Sequence, residues 1–378
     1  MWRHIFIWAE FLAFILVMSL IGQHFYIWYV GDVNLWDRKG NDMRRNSSIS
    51  FWKNRLYAPT YITKVDNIYI IVDCWHHRVL YSKELNAPIG KWSALIADGH
   101  IRIPHSVATN GDVLVMESSD HGSGGRNHSL VVFGIIKDDR GGIKEFRFLQ
   151  RVRLCPGKRV LRPHRVLYDE KTDAFYVYIT NPPTFGKYNW SRKTRTLKYV
   201  YCEHLYFMEG IYARSFTLVN DAIVFTAGPR RSLTFAKFDG VNGTPRYVGR
   251  VNVGWMGFKS GTMNDVVFRN NHWYISSTYP CLLIRVKSLR KGRVEMLHKK
   301  LRLCQAGKIK EETGNDGRCN LLGTPYYLSF IDGRMMIPFL FACSGILSFD
   351  PTTNSAAVLW GSGWREIPND IERRGVEW

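Results

Sequence analysis

A strand–turn–strand unit recurs six times between residues 51 and 365, and this repetition leaves few architectures open. Each unit has an apolar strand of about five residues, a polar turn, and a second strand rich in Val, Ile, Tyr or Phe. The turns contain Asp, Asn and Gly, which favour tight β-hairpins. The six units begin at Ala58, Ile103, Arg162, Tyr212, Thr262 and Thr324.

The spacing of the units indicates the blades of a propeller. Equivalent positions in consecutive units are 45 to 62 residues apart, which suits a four-stranded blade with outer loops of variable length. Several units add a third strand, such as "SLVVFGI" or "GILSFD". We therefore predict an all-β, six-bladed β-propeller over residues 51–365 with a tail at 366–378. The structural alternative is a pair of β-sandwiches.

One stretch of the first unit, "DCWHHRVLY" at residues 73–81, resembles the blade of NHL-type propellers. Blades of that family end a strand with Asp, turn, and restart on Asn-His-Arg-Val, and His76 stands here in the Asn position. The resemblance is clear in the first unit and only thematic in the others. It implies that Asp73 and His77 fix the geometry of the blade by hydrogen bonding.

The amino-terminal residues predict a membrane anchor. From Ile5 to Val30 the chain is apolar apart from Glu10, Ser19, Gln23 and His24. A spanning helix needs roughly 20 mostly apolar residues, and no small-x-small cleavage site follows this run. We predict a single-pass transmembrane signal-anchor helix at residues 1–31 and a basic linker at 32–50.

The charge of the chain suggests both its partners and its orientation. The formal net charge is +20, and Lys and Arg are spread along the chain, so the folded body is expected to attract polyanions. No zinc-finger spacing or RNA-binding signature is present, which argues against a sequence-specific nucleic-acid reader. Basic residues after the apolar run favour a cytoplasmic body, but long domains are translocated largely regardless of charge. We expect the propeller on the periplasmic, extracellular or lumenal side.

Seven cysteines leave the compartment open. None forms a C-x-x-C pair, and the odd number leaves at least one unpaired within the chain. Cys304 and Cys319 flank a polar loop that a disulfide would close in an oxidising compartment.

Alignment of the six units on their first turn predicts a ring of polar residues around the propeller axis. The innermost strand of every blade begins on the same face, so equivalent first residues meet around the central channel. We call these residues the axial ring: Thr60, His105, His164, Arg214, Asn264 and Tyr326. A polar ring in front of apolar strands is what a ligand site at the mouth of a channel requires.

Metal chemistry is one interpretation of the axial ring. "IPHSVA" resembles the strand by which the amidating lyase of this propeller group presents a histidine to zinc, which implies that His105 is a metal ligand, and His164 in "RPHRVL" has the same local form. Catalytic zinc normally has three protein ligands, and the third histidine is missing from the ring. His121, in a loop, is a candidate for the third. On this interpretation the protein is a lyase or hydrolase that uses a divalent metal such as zinc or calcium, but the sequence leaves the cofactor open.

The interpretation we favour is a polar or anionic ligand held without metal. Arg214 can fork onto a carboxylate or phosphate, while Thr60, Asn264 and Tyr326 complete the binding site. His105, His164 and Glu117 are candidates for proton transfer, because histidine titrates near neutrality. Classical glycoside hydrolysis needs two carboxylates, and the ring has none unless Glu117 and Asp265 lean inward.

These observations predict a membrane-anchored propeller that binds or processes an acidic or polar glycan, or a related anionic metabolite, at its axis. The alternatives are the metal-dependent enzyme and a non-catalytic scaffold whose faces bind another protein. Whether the protein is an enzyme is left open.

Overall fold

The structure, a computed structural model, describes most of the chain beyond residue 55. The described residues are 56, 58–97, 101–119, 128–227, 231–240, 243–258, 263–278, 281–301, 323–340, 345–361 and 371–373. They belong to one compact unit, residues 54–378. The predicted anchor and linker, residues 1–50, lie outside the described residues. Within the described ranges, no helix has the length and apolar character needed to cross a membrane.

The hairpins form where the sequence places Asp, Asn and Gly. Four inner hairpins turn through two residues, and the strands pair on either side of the turn, as at Val65 with Ile68. Five of the non-glycine residues in these turns adopt φ of 49° to 57°, a left-handed conformation that Asn and Asp tolerate. They are Asp66, Asn220, Asn270, Asn271 and Asp332. The longer turn expected in the third unit is also present, at residues 170–173.

Six antiparallel sheets follow one another along the chain, which confirms the six-bladed all-β propeller. In each of the first five the strands are hydrogen-bonded in sequence order. Blade 1 contains β1 (Pro59–Val65), β2 (Ile68–Asp73), β3 (Arg78–Ser82) and β4 (Ser93–Ala94). Blade 2 contains β5 (Val107–Thr109), β6 (Val113–Ser118), β7 (Ser129–Lys137) and β8 (Ile143–Arg153). Blade 3 contains β9 (Leu161–Asp169), β10 (Ala174–Asn181), β11 (Pro183–Ser191) and β12 (Thr196–His204).

The second half of the wheel repeats this order. Blade 4 contains β13 (Phe216–Val219), β14 (Ala222–Ala227), β15 (Ser232–Phe238) and β16 (Pro245–Asn252). Blade 5 contains β17 (Met263–Arg269), β18 (His272–Ser277), β19 (Leu282–Val286) and β20 (Glu295–Met296), followed by the short helix α1 (Leu297–Lys300). Blade 6 contains β21 (Thr324–Pro325), β22 (Ser329–Ile331), β23 (Arg334–Leu340), β24 (Gly345–Phe349), β25 (Ala356–Gly361) and β26 (Ile371–Arg373). Single 3₁₀ turns occur at Cys74–His76, Ile89–Lys91, Tyr206–Met208 and Gly254–Met256.

Blade 6 departs from the regular pattern at both edges. Its inner position is shared by β21 and β22, which both pair with β23 and are separated by Tyr326, Tyr327 and Leu328. At its outer edge β26 pairs in parallel with β25. Part of the segment that the sequence assigns to a tail therefore extends the sixth sheet.

The hydrophobic core lies between neighbouring blades. Six clusters of buried residues each join two consecutive blades, and the last one joins blade 6 to blade 1. In that cluster Trp92 and Trp360 meet edge to face at 5.4 Å, and both indole N–H groups donate to the carbonyl of Ala87. Such aromatic pairs contribute about 0.5–1.5 kcal/mol beyond their buried area. Side-chain packing therefore closes the wheel.

A second contact joins blades 2 and 3. Cys155, in the connection after β8, forms a disulfide with Cys202 of β12, and their Cα atoms are 5.5 Å apart. Cys74 is buried and carries a free thiol. Cys304 and Cys319 lie outside the described residues.

The residues of "DCWHHRVLY" serve the structure of blade 1. Asp73 is fully buried, and its Oδ2 lies 2.6 Å from His76 Nδ1 and accepts a hydrogen bond from Arg78 Nε at 2.7 Å. His77 has a left-handed backbone, and its Nδ1 accepts the N–H of Ile103 at 3.0 Å. These bonds hold the turn between β2 and β3 and attach it to the connection into blade 2, as expected from the sequence.

Candidate functional site at the propeller axis

The structure brings the side chains of the predicted axial ring together. The imidazole rings of His105 and His164 are 4.4 Å apart, and His105 lies 6.4 Å from the ring of Tyr326. The guanidinium of Arg214 lies 5.7 Å from the ring of Tyr326 and donates from Nη1 to Asn264 Oδ1 at 2.7 Å. Five of the six predicted residues therefore form one continuous group of contacts.

Thr60, the sixth residue of the axial ring, interacts mainly with backbone. It is buried, and its hydroxyl lies 3.5 Å from the carbonyls of Val72 and Pro104. Because Pro104 precedes His105, Thr60 supports the neighbouring blade at the point where His105 is presented.

Second strands hold the ring residues in place. In blade 2, Oε1 of Glu117 accepts the backbone N–H groups of His105 and Ser106, each at 2.7 Å. In blade 4, the hydroxyl of Thr226 accepts the N–H groups of Arg214 at 3.2 Å and Ser215 at 3.0 Å. A residue at the end of the second strand thus fixes the start of the first strand in both blades.

Glu117 is enclosed by this arrangement. Its side chain has no exposed surface, and Ser106 Oγ lies 3.2 Å from Oε2. Burial raises the pKa of Glu117 to about 8, although the hydrogen bonds from the two backbone N–H groups and from Ser106 oppose the shift. The carboxyl also lies 3.9 Å from Nδ1 of His105, at the edge of ion-pair distance.

Arg214 is held by a network that reaches blades 5 and 6. Its Nη1 donates to the hydroxyl of Thr278 at 3.1 Å as well as to Asn264. Thr278 donates in turn to Asn264 Oδ1 at 2.9 Å, and Asn264 Nδ2 donates to the carbonyl of Pro325 at 2.7 Å. These hydrogen bonds therefore fix the position of the guanidinium.

Tyr212 joins the group although sequence reasoning missed it. Its hydroxyl lies 3.1 Å from Nε2 of His164, and its ring lies 5.5 Å from the guanidinium of Arg214. Tyr212 precedes Arg214 by two residues, and the alignment assigned only one residue of each unit to the ring. An aromatic residue at that place was the available signal.

A second polar layer, also missed, lies one residue further along the inner strands. We call it the axial floor: Tyr61, Arg165, Asp265 and Tyr327. The guanidinium of Arg165 lies 4.6 Å from the ring of Tyr61 and 4.5 Å from that of Tyr327, and Arg165 Nη2 lies 4.0 Å from Asp265 Oδ2. These contacts connect blades 1, 3, 5 and 6 across the axis.

Tyr327 crosses the axis directly. Its hydroxyl lies 2.9 Å from the carbonyl oxygen of His164 and 2.7 Å from that of Arg214. A phenol has one proton to donate, so the two carbonyls of blades 3 and 4 share one donor from blade 6. The ring residues are therefore tied together beneath the site.

The charges of the floor are matched inside the protein. Burial lowers the pKa of Arg165, but Asp265, Tyr61 and Tyr327 outweigh burial and the pKa is raised. Burial raises the pKa of Asp265, and this is opposed by Arg165, by the hydroxyl of Ser215 at 2.6 Å and by the N–H of Leu328 at 2.8 Å. Three partners favour the ionised form of Asp265, so we describe Arg165 and Asp265 as a buried ion pair.

Metal binding at the ring stays a prediction. His105 and His164 are in contact, but among the described residues no group of three or more His, Cys, Asp or Glu side chains is arranged to hold a metal ion. His121, the predicted third ligand, lies outside the described residues.

Comparisons with known proteins do not assign a family. No protein-family model matches the chain, and no curated protein matches it significantly. The similar solved structures include one described as a 6-phosphogluconolactonase candidate from Bacteroides fragilis, with 12% identity, coverage of 85% of this chain and 86% of that chain, and a TM-score of 0.49. Another is the periplasmic gluconolactonase PpgL of Pseudomonas aeruginosa, with 11% identity, coverage of 81% and 85%, and a TM-score of 0.49.

A third similar structure is a protein from Lactobacillus plantarum, with 10% identity, coverage of 84% of this chain and 96% of that chain, and a TM-score of 0.46. All three TM-scores are below 0.5 and all three identities are below 25%. These likenesses therefore carry no activity over to this chain.

Proposed function

We propose that the axial site binds a small anionic, hydroxyl-rich ligand, such as a carboxylated sugar unit or the end of an acidic glycan. One observation carries the proposal. Within the described part of the chain, Nε and Nη1 of Arg165 and Nε of Arg214 are buried without a hydrogen-bond partner. A buried donor left unpaired costs about 1–3 kcal/mol, so the unpaired Nε of Arg214 favours an anionic acceptor at the axis, whereas Arg165 already has Asp265 as its counter-ion.

Each ring residue has a role that suits such a ligand. Arg214 donates to a carboxylate or phosphate, since its Nη1 is already engaged and its Nε is available. His105 and His164 bind polar edges of the ligand, and the rings of Tyr212 and Tyr326 accept its apolar C–H faces. Thr60 and Asn264 hold these groups in place.

Turnover of the ligand is a separate question from its binding. If the bound molecule is processed, His105 and His164 are the candidates for proton transfer, because imidazole titrates near neutral pH. Glu117 is better suited to positioning His105 than to contacting the ligand, since its oxygens receive two backbone N–H groups.

Binding of D-glucuronate, with D-glucose as the neutral match, tests the proposal by isothermal titration calorimetry. We expect Arg214→Met to lower the affinity for glucuronate at least tenfold. Arg246→Met is the control, because it removes the same charge from an exposed residue of β16, one that donates to Asp239 at 3.0 Å and lies outside the axial ring. Equal affinity of the Arg214 and Arg246 variants, with both folded by circular dichroism, would contradict an anion site at the axis.

The setting of the propeller is part of the same proposal. We infer an exported body behind the amino-terminal anchor, supported by the apolar residues 5–30 and by the disulfide between Cys155 and Cys202, because disulfides persist in oxidising compartments. The NHL-type and amidating-lyase resemblances remain expectations. Protection of Cys155 and Cys202 from alkylation in protein isolated without reductant is the expected result, and free thiols at both would argue for a reducing compartment.

A further inference from the structure

Blade 5 carries a basic groove that lies apart from the axial site. The groove has a volume of about 680 Å³ and is formed by β19, β20, the loop between them and the start of β18. Its cationic residues are Arg285, Lys287, Lys291, Arg293 and Lys300. Ligand sites in proteins typically measure roughly 300–1,000 Å³, so the groove is large enough to hold part of a ligand.

The charge of the groove is strongly unbalanced. Residues 285–300 contain seven Lys or Arg and one acidic residue, Glu295. Glu295 is already engaged, because its Oε2 lies 2.6 Å from Arg285 Nη2 and its Oε1 pairs with Lys300. The remaining positive charge is not neutralised by this segment.

Three cations of the groove are free to bind a ligand. Lys287, Lys291 and Arg293 form no ion pair with any residue that the structure describes. Lys287 follows β19 directly, and Lys291 and Arg293 flank Gly292 in the loop. Gly292 has φ of 136°, which L side chains rarely adopt, so this glycine is needed for the shape of the loop. The course of the backbone therefore places Lys287, Lys291 and Arg293 along the groove.

The shape and composition of the groove favour a chain as its ligand. Lys287, Lys291 and Arg293 are all exposed and lie within seven residues of one another, so the repeated charges of a chain can reach them together. Val294 and Met296 add apolar surface beside the cations, which suits the C–H faces of sugars. The disulfide between Cys155 and Cys202 is typical of secreted and cell-surface proteins, and this setting favours a polysaccharide over a nucleic acid.

We propose that this groove is a second binding site, for a sulfated or carboxylated polysaccharide chain. It shares no residue with the axial ring or the axial floor, and it does not depend on the function proposed for them. The groove binds the chain through its repeated charges, whereas the axial site takes a single anionic unit.

The test compares two triple variants of the full chain that remove the same charge. Lys287→Gln, Lys291→Gln and Arg293→Gln together empty the groove of its free cations. Lys144→Gln, Arg153→Gln and Lys198→Gln together serve as the control, since these residues are exposed on the outer strands β8 and β12. Binding to heparin and to polygalacturonate is measured at several salt concentrations, because exposed charge interactions are screened by salt.

We expect the groove triple variant to lose at least tenfold in affinity for one or both polysaccharides at 0.15 M salt, and the control to lose less than threefold. Equal losses in the two triple variants would overturn the proposal, since net charge alone would then explain binding. Binding to anionic phospholipid vesicles that depends on the groove, without polysaccharide binding, would overturn it in favour of a membrane surface.

The axial proposal is distinguished in the same experiment. Arg214→Met is expected to leave polysaccharide affinity unchanged, and the groove triple variant is expected to leave glucuronate affinity unchanged. Loss of polysaccharide binding in Arg214→Met alone would place the polyanion at the axis and refute the groove.

Discussion

The buried ion pair of the axial floor gives the sharpest prediction for stability. Arg165 Nη2 and Asp265 Oδ2 are 4.0 Å apart, and both side chains are at most 5% exposed. At an effective dielectric constant of about 20, two unit charges at that distance attract by roughly 4 kcal/mol. Asp265→Asn removes this attraction and leaves a buried cation, so we expect the free energy of unfolding to fall by about 3–5 kcal/mol.

A double-mutant cycle separates the ion pair from other effects. Arg165→Met removes the cation and its contacts with Tyr61 and Tyr327, while Asp265 keeps the hydroxyl of Ser215 and the N–H of Leu328. We expect each single variant to be destabilised, and the double variant to lose at least 2 kcal/mol less than the sum of the two. Urea unfolding at pH 7, followed by tryptophan fluorescence, measures the free energy of unfolding of the unchanged protein and of the three variants.

Additive effects would refute this account of the floor. Sites that do not interact usually add within about 0.5 kcal/mol. A cycle that closes within that margin would show that Arg165 and Asp265 do not stabilise one another, and that the stacking on Tyr61 and Tyr327 alone holds Arg165.

Two further predictions concern Glu117 and the disulfide. The folded protein retains the proton of Glu117 up to a pKa of about 8, whereas the unfolded chain releases it near 4.5. The contribution of Glu117 to the free energy of unfolding should therefore fall as pH rises between those values, by on the order of 5 kcal/mol in total. Glu117→Gln should flatten the dependence of the unfolding free energy on pH in that window, and an unchanged slope would show that Glu117 is ionised throughout. Cys155 and Cys202 close a loop across 47 positions, for which chain entropy predicts about 4 kcal/mol of stabilisation. The double variant Cys155→Ser, Cys202→Ser should therefore unfold at a lower urea concentration. A urea midpoint equal to that of the disulfide-bonded protein would contradict a stabilisation of this size.

Much of the fold could be predicted from the sequence because the hairpin turns depend on local chemistry. Asp66, Asn220 and Asp332 adopt the positive φ that their residue types tolerate, and the strands beside them pair as the alternation of residues requires. The sixth blade was less predictable at its edges. The split between β21 and β22 depends on how Tyr326 and Tyr327 pack against other blades, which no local pattern reports.

The axial ring was predictable for a similar reason, and the axial floor was not. Equivalent positions of a repeat must meet around the axis, so alignment alone brings His105 to His164 and Arg214 to Asn264. The floor depends on pairings between blades that are not neighbours in sequence, such as Arg165 of blade 3 with Asp265 of blade 5. Such pairings depend on the size and charge of the side chains that meet at the axis, which the repeat pattern does not specify.

The two layers at the axis differ in charge, and this difference is the basis of the proposed anion site. The floor pairs the guanidinium of Arg165 with the carboxylate of Asp265, while the ring contains Arg214 and two imidazoles, with the carboxyl group of Glu117 3.9 Å from the imidazole of His105. Glu117, the nearest acid, is raised in pKa by burial and is therefore a weak counter-ion for the ring at neutral pH. Among the described residues Arg214 forms no ion pair, and its hydrogen bonds to Asn264 and Thr278 hold the guanidinium in place. An anion that enters this site meets donors already in place, which lowers the entropy lost on binding.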